Sequence, residues 1–123
     1  MKYQVIQKNW KVKNKVNNPL LERNIYEVLE KLGLPTDVTL DLRGYSKTYY
    51  GRYDIENQVI TLYVLEEDNT YLPYEKILQT AIHEAIHHFQ HTKDKAFVRV
   101  HGVMHNQAFL KLEEKLYKRL KTL

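Results

Sequence analysis

The chain has 123 residues, 43% hydrophobic and 28% charged, which suits one globular domain and excludes wholesale disorder. It contains no cysteine, which excludes disulfides, thiolate metal sites and cysteine nucleophiles, so any metal must be held by His, Asp or Glu. The net charge of +4 is unevenly spread: residues 1–18 carry five Lys and no acid, residues 19–92 carry 12 acids against 6 bases, and residues 93–123 are basic again.

Basic ends around an acidic middle can form a patch for weak, salt-dependent contact with nucleic acid. The plainer reading is solvated surface, with a basic arm over residues 1–18 and one domain over residues 19–123. The first eight residues lack the apolar stretch of a signal peptide. No apolar run approaches the ~20 residues that span a bilayer. A cytoplasmic protein with no membrane partner is the expectation.

Residues 3–12 alternate weakly (Tyr3, Val5, Trp10, Val12) and suit a short strand, followed by a Lys/Asn-rich turn over residues 11–18. A helix then has clear punctuation, with Asn18 as cap, Pro19 at the first helical position and Gly33 with Pro35 as the stop. Leu21, Ile25, Val28, Leu29 and Leu32 form its apolar stripe. Three strands are expected over residues 38–42, 48–53 and 58–65, the last two joined by a polar hairpin, Asp54-Ile55-Glu56-Asn57. Residues 59–64 read either as an ordinary packed strand or as an edge for an extended substrate.

Pro73 opens a long helix running to about His91, and a last helix is expected from about Asn106 to Lys121. The stretch 92–104 has no clear pattern. The order β-α-β-β-β-α-α indicates an α+β fold: a small antiparallel or mixed sheet packed on the long helix, with an N-terminal and a C-terminal helix.

The long helix carries His83-Glu84-Ala85-Ile86-His87, an H-E-x-x-H motif. Residues four apart on a helix differ by about 40° in azimuth and roughly 6 Å in rise. Two imidazoles so placed can converge on one tetrahedral ion at about 2.0–2.1 Å. Glu84, one step from the first ligand, leans toward the ion's open side, where it can act as general base. Leu78, Ile82, Ala85, Ile86 and Phe89 make the packed face, and Thr80, His83, Glu84 and His87 lie opposite. His91 lies about 12 Å along the axis from His83. His88 points about 100° away from His87 and reads as a packing or surface residue.

A catalytic zinc has three protein ligands, so one must come from elsewhere. His101, His105, Glu113 and Glu114 are the downstream candidates. His105 is preferred because it leads into a helix anchored by Phe109, Leu112, Leu116 and Leu120. His101, followed by Gly102, is second, and a Glu is third.

Taken together, these segments resemble the SprT-like zinc metallopeptidases. The matching features are Gly51 entering a hairpin, the I-x-L strand Ile60-Thr61-Leu62, Thr80 three residues before the motif, and His105 with Phe109 four residues on. Asn106 stands where that family has Gly directly after its third histidine. The resemblance covers about residues 48–112. It implies a minimal zincin-like fold, Zn2+ on His83, His87 and His105, and cleavage of a protein or peptide substrate with Glu84 as the base. Family members with added nucleic-acid-binding parts degrade proteins crosslinked to DNA, a role that does not carry over to a chain with no cysteine zinc ribbon. Two rival expectations stand beside this one. The first is a non-enzymatic zinc-binding adaptor that binds nucleic acid or a protein through its basic ends. The second is a zinc hydrolase acting on a non-peptide bond.

Overall fold

A computed structural model of the chain describes residues 14–93, 105 and 107–123. The strand expected over residues 3–12 and His101 lie outside the described residues.

The first described helix, α1 (Pro19–Lys31), forms as its punctuation requires. Asn18 accepts a hydrogen bond from the Leu21 backbone N–H, which satisfies one of the free donors of the first turn. At the other end Gly33 has φ +78°, while the Gly33 and Leu34 N–H groups return to the carbonyls of Glu30 and Leu29. This is a Schellman closure, and glycine takes its left-handed position without strain. The buried side chains of α1 are Leu21, Ile25 and Leu29.

Three strands follow: β1 (Thr39–Arg43), β2 (Gly51–Asp54) and β3 (Val59–Tyr63). The Tyr26 hydroxyl fixes α1 to the first of them, donating to the Val38 carbonyl and accepting from the Leu40 N–H. The sheet order is β1-β3-β2, with β3 parallel to β1 and antiparallel to β2. The sheet is therefore mixed and β3 is its central strand. Its backbone groups are taken on both sides, so of the two readings of residues 59–64 the ordinary packed strand holds and the free edge is overturned. β2 is an edge, and among the described residues no strand pairs with its outer side. The outer side of β1 is met at one end by residues 14–16, through a Lys15–Arg43 bridge and a bond from Val16 N–H to the Leu42 carbonyl.

Register explains why the sheet has one apolar face. Leu40 lies beside Ile60, Leu42 beside Leu62, Gly51 beside Leu62 and Tyr53 beside Ile60. Paired residues share a face, so these six form one surface, and the alternate set, Asp41, Arg43, Arg52, Thr61 and Tyr63, forms a polar one.

The long helix α2 (Tyr74–Thr92) packs on the apolar face, and α3 (Gln107–Leu120) packs on α2. Pro73 is the cap residue of α2 rather than its first helical residue. Ile77, Leu78, Ala81, Ile82, Ala85 and Ile86 are buried. Phe89, expected in the packed stripe, is only half-buried, whereas His88 is fully buried. Among the described residues the fold is thus α+β, with three helices and a three-stranded mixed sheet, the long helix α2 lying against the sheet and α1 and α3 packing on α2.

His88 earns its interior position through two polar partners. Its Nδ1 lies 2.7 Å from the Tyr53 hydroxyl and its Nε2 3.2 Å from Asp37 Oδ1. Burial, reinforced by the charges of Asp37 and Asp54, pushes the Tyr53 phenol up, so it keeps its proton and donates. Lys93 holds the other oxygen of Asp37 at 3.0 Å. One side chain thereby ties β2, α2 and the connection before β1 together. Replacing His88 with Ala should lower stability by about 2–4 kcal/mol through lost packing and an orphaned partner. Urea denaturation checks this, and a change within experimental error would show that His88 does not hold these elements together.

Candidate metal centre

The helical spacing of His83 and His87 brings both imidazoles to the side of α2 that faces α3. Their ring centroids are 5.0 Å apart. His105, just ahead of α3, completes the group: its Nε2 lies 3.1 Å from His83 Nε2 and 3.0 Å from His87 Nε2. The candidate ligand atoms of all three lie within 4.8 Å of one another. Phe109, fully buried, sets this spacing, because its ring lies 5.0, 4.7 and 4.9 Å from the rings of His83, His87 and His105.

Proton counting shows what such a cluster suits. The Nδ1 of His83 is 2.5 Å from Glu113 Oε2, so that nitrogen donates to the carboxylate and a neutral His83 presents a bare Nε2. His105 Nε2 then faces His83 Nε2 and His87 Nε2 together. Neutral rings can make at most one of these two contacts a well-formed hydrogen bond, since the other pairs like with like. A cation at the centre satisfies all three lone pairs at once. Four nitrogens around a tetrahedral ion at 2.0–2.1 Å stand about 3.3 Å apart, close to the spacing found here. The residues therefore fit a metal ion, with three histidines as the donor set.

The electrostatics point the same way. Burial, then the neighbouring His83 and His105, lowers the His87 pKa to about 4, and the same kinds of cause lower that of His105. Both rings are thus neutral at ordinary pH, the form that ligates a metal. His87 Nδ1 is buried with no hydrogen-bond partner among the described residues.

Glu84 is buried beside this group and belongs to the motif but not to the ligand cluster. Burial raises its carboxyl pKa and the charge of Glu113 adds to this, while a protonated His83 would oppose it. A carboxylate raised toward neutrality is a better proton acceptor at working pH. Its carbon chain lies against β2. A Cβ built at Gly51 would stand 2.6 Å from Thr80 Cγ2 and 3.2 Å from Glu84 Cγ. Glycine at position 51 is therefore a matter of space, because β2 passes too close to α2 for any side chain.

The two glutamates weighed as alternative ligands stand elsewhere. Glu113 holds the far side of the His83 ring, and Glu114 is exposed, paired with Lys118 at 3.2 Å. Sequence reasoning had not given Glu113 a place behind His83. Its spacing from His105 and Phe109 (eight and four residues) is the signal that puts it on the same helix face. Of the basic arm's described part, residues 14–18, residues 14–16 are taken up along β1. Among the described residues no helix is long and apolar enough to cross a membrane. Comparison with protein-family models, curated proteins and solved structures finds no match to this chain.

Two predictions come from this geometry. Gly51→Ala should destabilise the domain by about 1–3 kcal/mol by overpacking, and Thr80→Ser, which removes the obstructing methyl group, should recover part of that loss. Denaturation of both single variants and the double variant measures the coupling, and strict additivity would show that the two residues do not meet. Separately, His105→Ala should reduce bound metal far more than His101→Ala, read by metal analysis after dialysis. Equal losses in the two variants would remove His105 from its place as third ligand.

Proposed function

We propose that the chain is a zinc-dependent metallopeptidase of SprT-like type, with Zn2+ on His83, His87 and His105 and Glu84 as the general base. The observation that carries this reading is the convergence of three imidazole nitrogens at 3.0–3.1 Å beside a buried carboxylate that is not part of the ligand cluster. Three protein ligands leave a fourth tetrahedral position open, which distinguishes a catalytic site from a closed structural one. The motif resemblance over residues 48–112 supports the same reading. Zinc is the fitting ion because an all-imidazole, cysteine-free donor set with tetrahedral spacing suits it.

Bound zinc supplies Lewis acidity, acidifying a water molecule and polarising a scissile carbonyl. The chain's own residues do the rest. Glu84 takes the proton from the attacking water, helped by the burial that raises its pKa. The same carboxyl then hands that proton to the departing amine, which balances the hydrolysis. His83, His87 and His105 hold their positions through the packing of Phe109. An extended peptide has a backbone to pair with at β2, the sheet edge whose Gly51 abuts Glu84. Pairing there would carry the substrate past the base, a role that central β3 cannot serve.

Glu84→Gln tests the assignment. The variant should keep its fold and its zinc but lose peptide hydrolysis by at least about 10²-fold, the lower end of general-base contributions. Zinc content, circular dichroism and a peptidase assay on both proteins are the measurements. Unchanged hydrolysis in the variant would remove Glu84 from the mechanism.

A further inference from the structure

The two motif histidines differ in what stands behind them. His87 Nδ1 has no partner among the described residues, whereas His83 Nδ1 meets Glu113 Oε2 at 2.5 Å. The Tyr117 hydroxyl lies 3.0 Å from that same oxygen and 3.1 Å from the Gln79 carbonyl, one turn before His83 on α2. Phe109, Glu113 and Tyr117 are spaced four apart on α3, so one helix face delivers all three to α2. The Glu113 side chain is only 17% exposed, and this partial burial strengthens its bond to the imidazole. Tyr117 keeps its proton, since burial and then the Glu113 charge push its phenol well up, and it can only donate to the carboxylate.

A neutral imidazole has one proton and two nitrogens. If the proton of His83 sat on Nε2, it would stand between that ring and the ion. A carboxylate at Nδ1 draws the proton to the far side, leaves the Nε2 lone pair facing His105, and makes that nitrogen more basic. We propose that Glu113, braced by Tyr117, is the positioning residue that fixes His83 in its metal-binding tautomer and thereby sets the affinity of the site. The proposal rests on the reading of His83 as a metal ligand. It also assigns α3 a purpose beyond packing, because the helix that follows the third ligand also orients the first.

The test compares the unaltered chain with Glu113→Ala, Glu113→Gln and Tyr117→Phe. Zinc affinity is measured by competition with a chromophoric chelator, and the His83 tautomer by ¹⁵N NMR of the metal-free proteins. Glu113→Ala should bind zinc about 10–100-fold more weakly, with Gln recovering part of the loss and Tyr117→Phe losing less. In the metal-free unaltered chain His83 should carry its proton on Nδ1, and Glu113→Ala should shift it toward Nε2. If Glu113→Ala does not fold, the Gln and Phe variants carry the test, because both keep the shape of the residue they replace. Zinc affinity unchanged in the variants, or a His83 proton already on Nε2 in the unaltered chain, would overturn the proposal while leaving the metal site standing. An unaltered chain that takes up no zinc would overturn the metal reading, and the proposal with it.

Discussion

The Nε2 of His105 held 3.0 Å from that of His87 and 3.1 Å from that of His83 is the constraint from which the rest of this structure can be understood. Neutral rings so arranged can make at most one of the two contacts a hydrogen bond, and protonated rings would repel, so a cation among them is the arrangement that satisfies all three lone pairs. Burial drives His87 toward its neutral form and removes the alternative of charging it. The surrounding packing must therefore hold the rings together against their own preference. Phe109 does so from beneath, and Glu113 holds one ring from behind. In such a site the free energy of metal binding becomes partly free energy of folding, because only the folded chain brings the three ligands together.

The other side of α2 meets a different demand. There the helix must lie close enough to the sheet edge for Glu84 to be buried yet still beside the histidines. Gly51 permits the approach, since β2 meets Thr80 and Glu84 with no room for a Cβ. Two residues on, Tyr53 and His88 fix the helix to the same strand by a hydrogen bond rather than by apolar contact alone. Apolar packing tolerates sliding, but a buried hydrogen bond between defined atoms does not, because a displaced partner is left unsatisfied. Gly51 and Tyr53 thus act as a pair, one setting the distance between β2 and α2 and the other their relative position along the helix axis.

Local features were the most legible part of the sequence. Asn18, Pro19 and Gly33 marked both ends of α1 because caps and left-handed glycines act within a few residues. The motif placed His83 and His87 on one helix face for the same reason, and the apolar stripe of α3 begun by Phe109 pointed to His105. What escaped was set by partners far along the chain. Residues 58–65 read as a strand but not with its neighbours, so the central position of β3 between a parallel and an antiparallel partner was invisible. His88 read as either a packing or a surface residue, and it is Tyr53 and Asp37, 35 and 51 residues away, that allow it to be buried. Glu113 read as a possible ligand because its identity is suitable. Only the direction from which it meets the His83 ring places it behind the ring instead.

X-ray absorption on the zinc-loaded protein tests whether three imidazoles hold the proposed metal with one position left open. The first shell should contain three imidazole nitrogens and one light oxygen donor at about 2.0–2.1 Å, with the multiple-scattering pattern of histidine. Glu84→Gln should leave that spectrum unchanged, since its carboxylate is not part of the ligand cluster. A shell with fewer than three imidazoles, or one closed by a fourth protein ligand, would rule out the proposed open site.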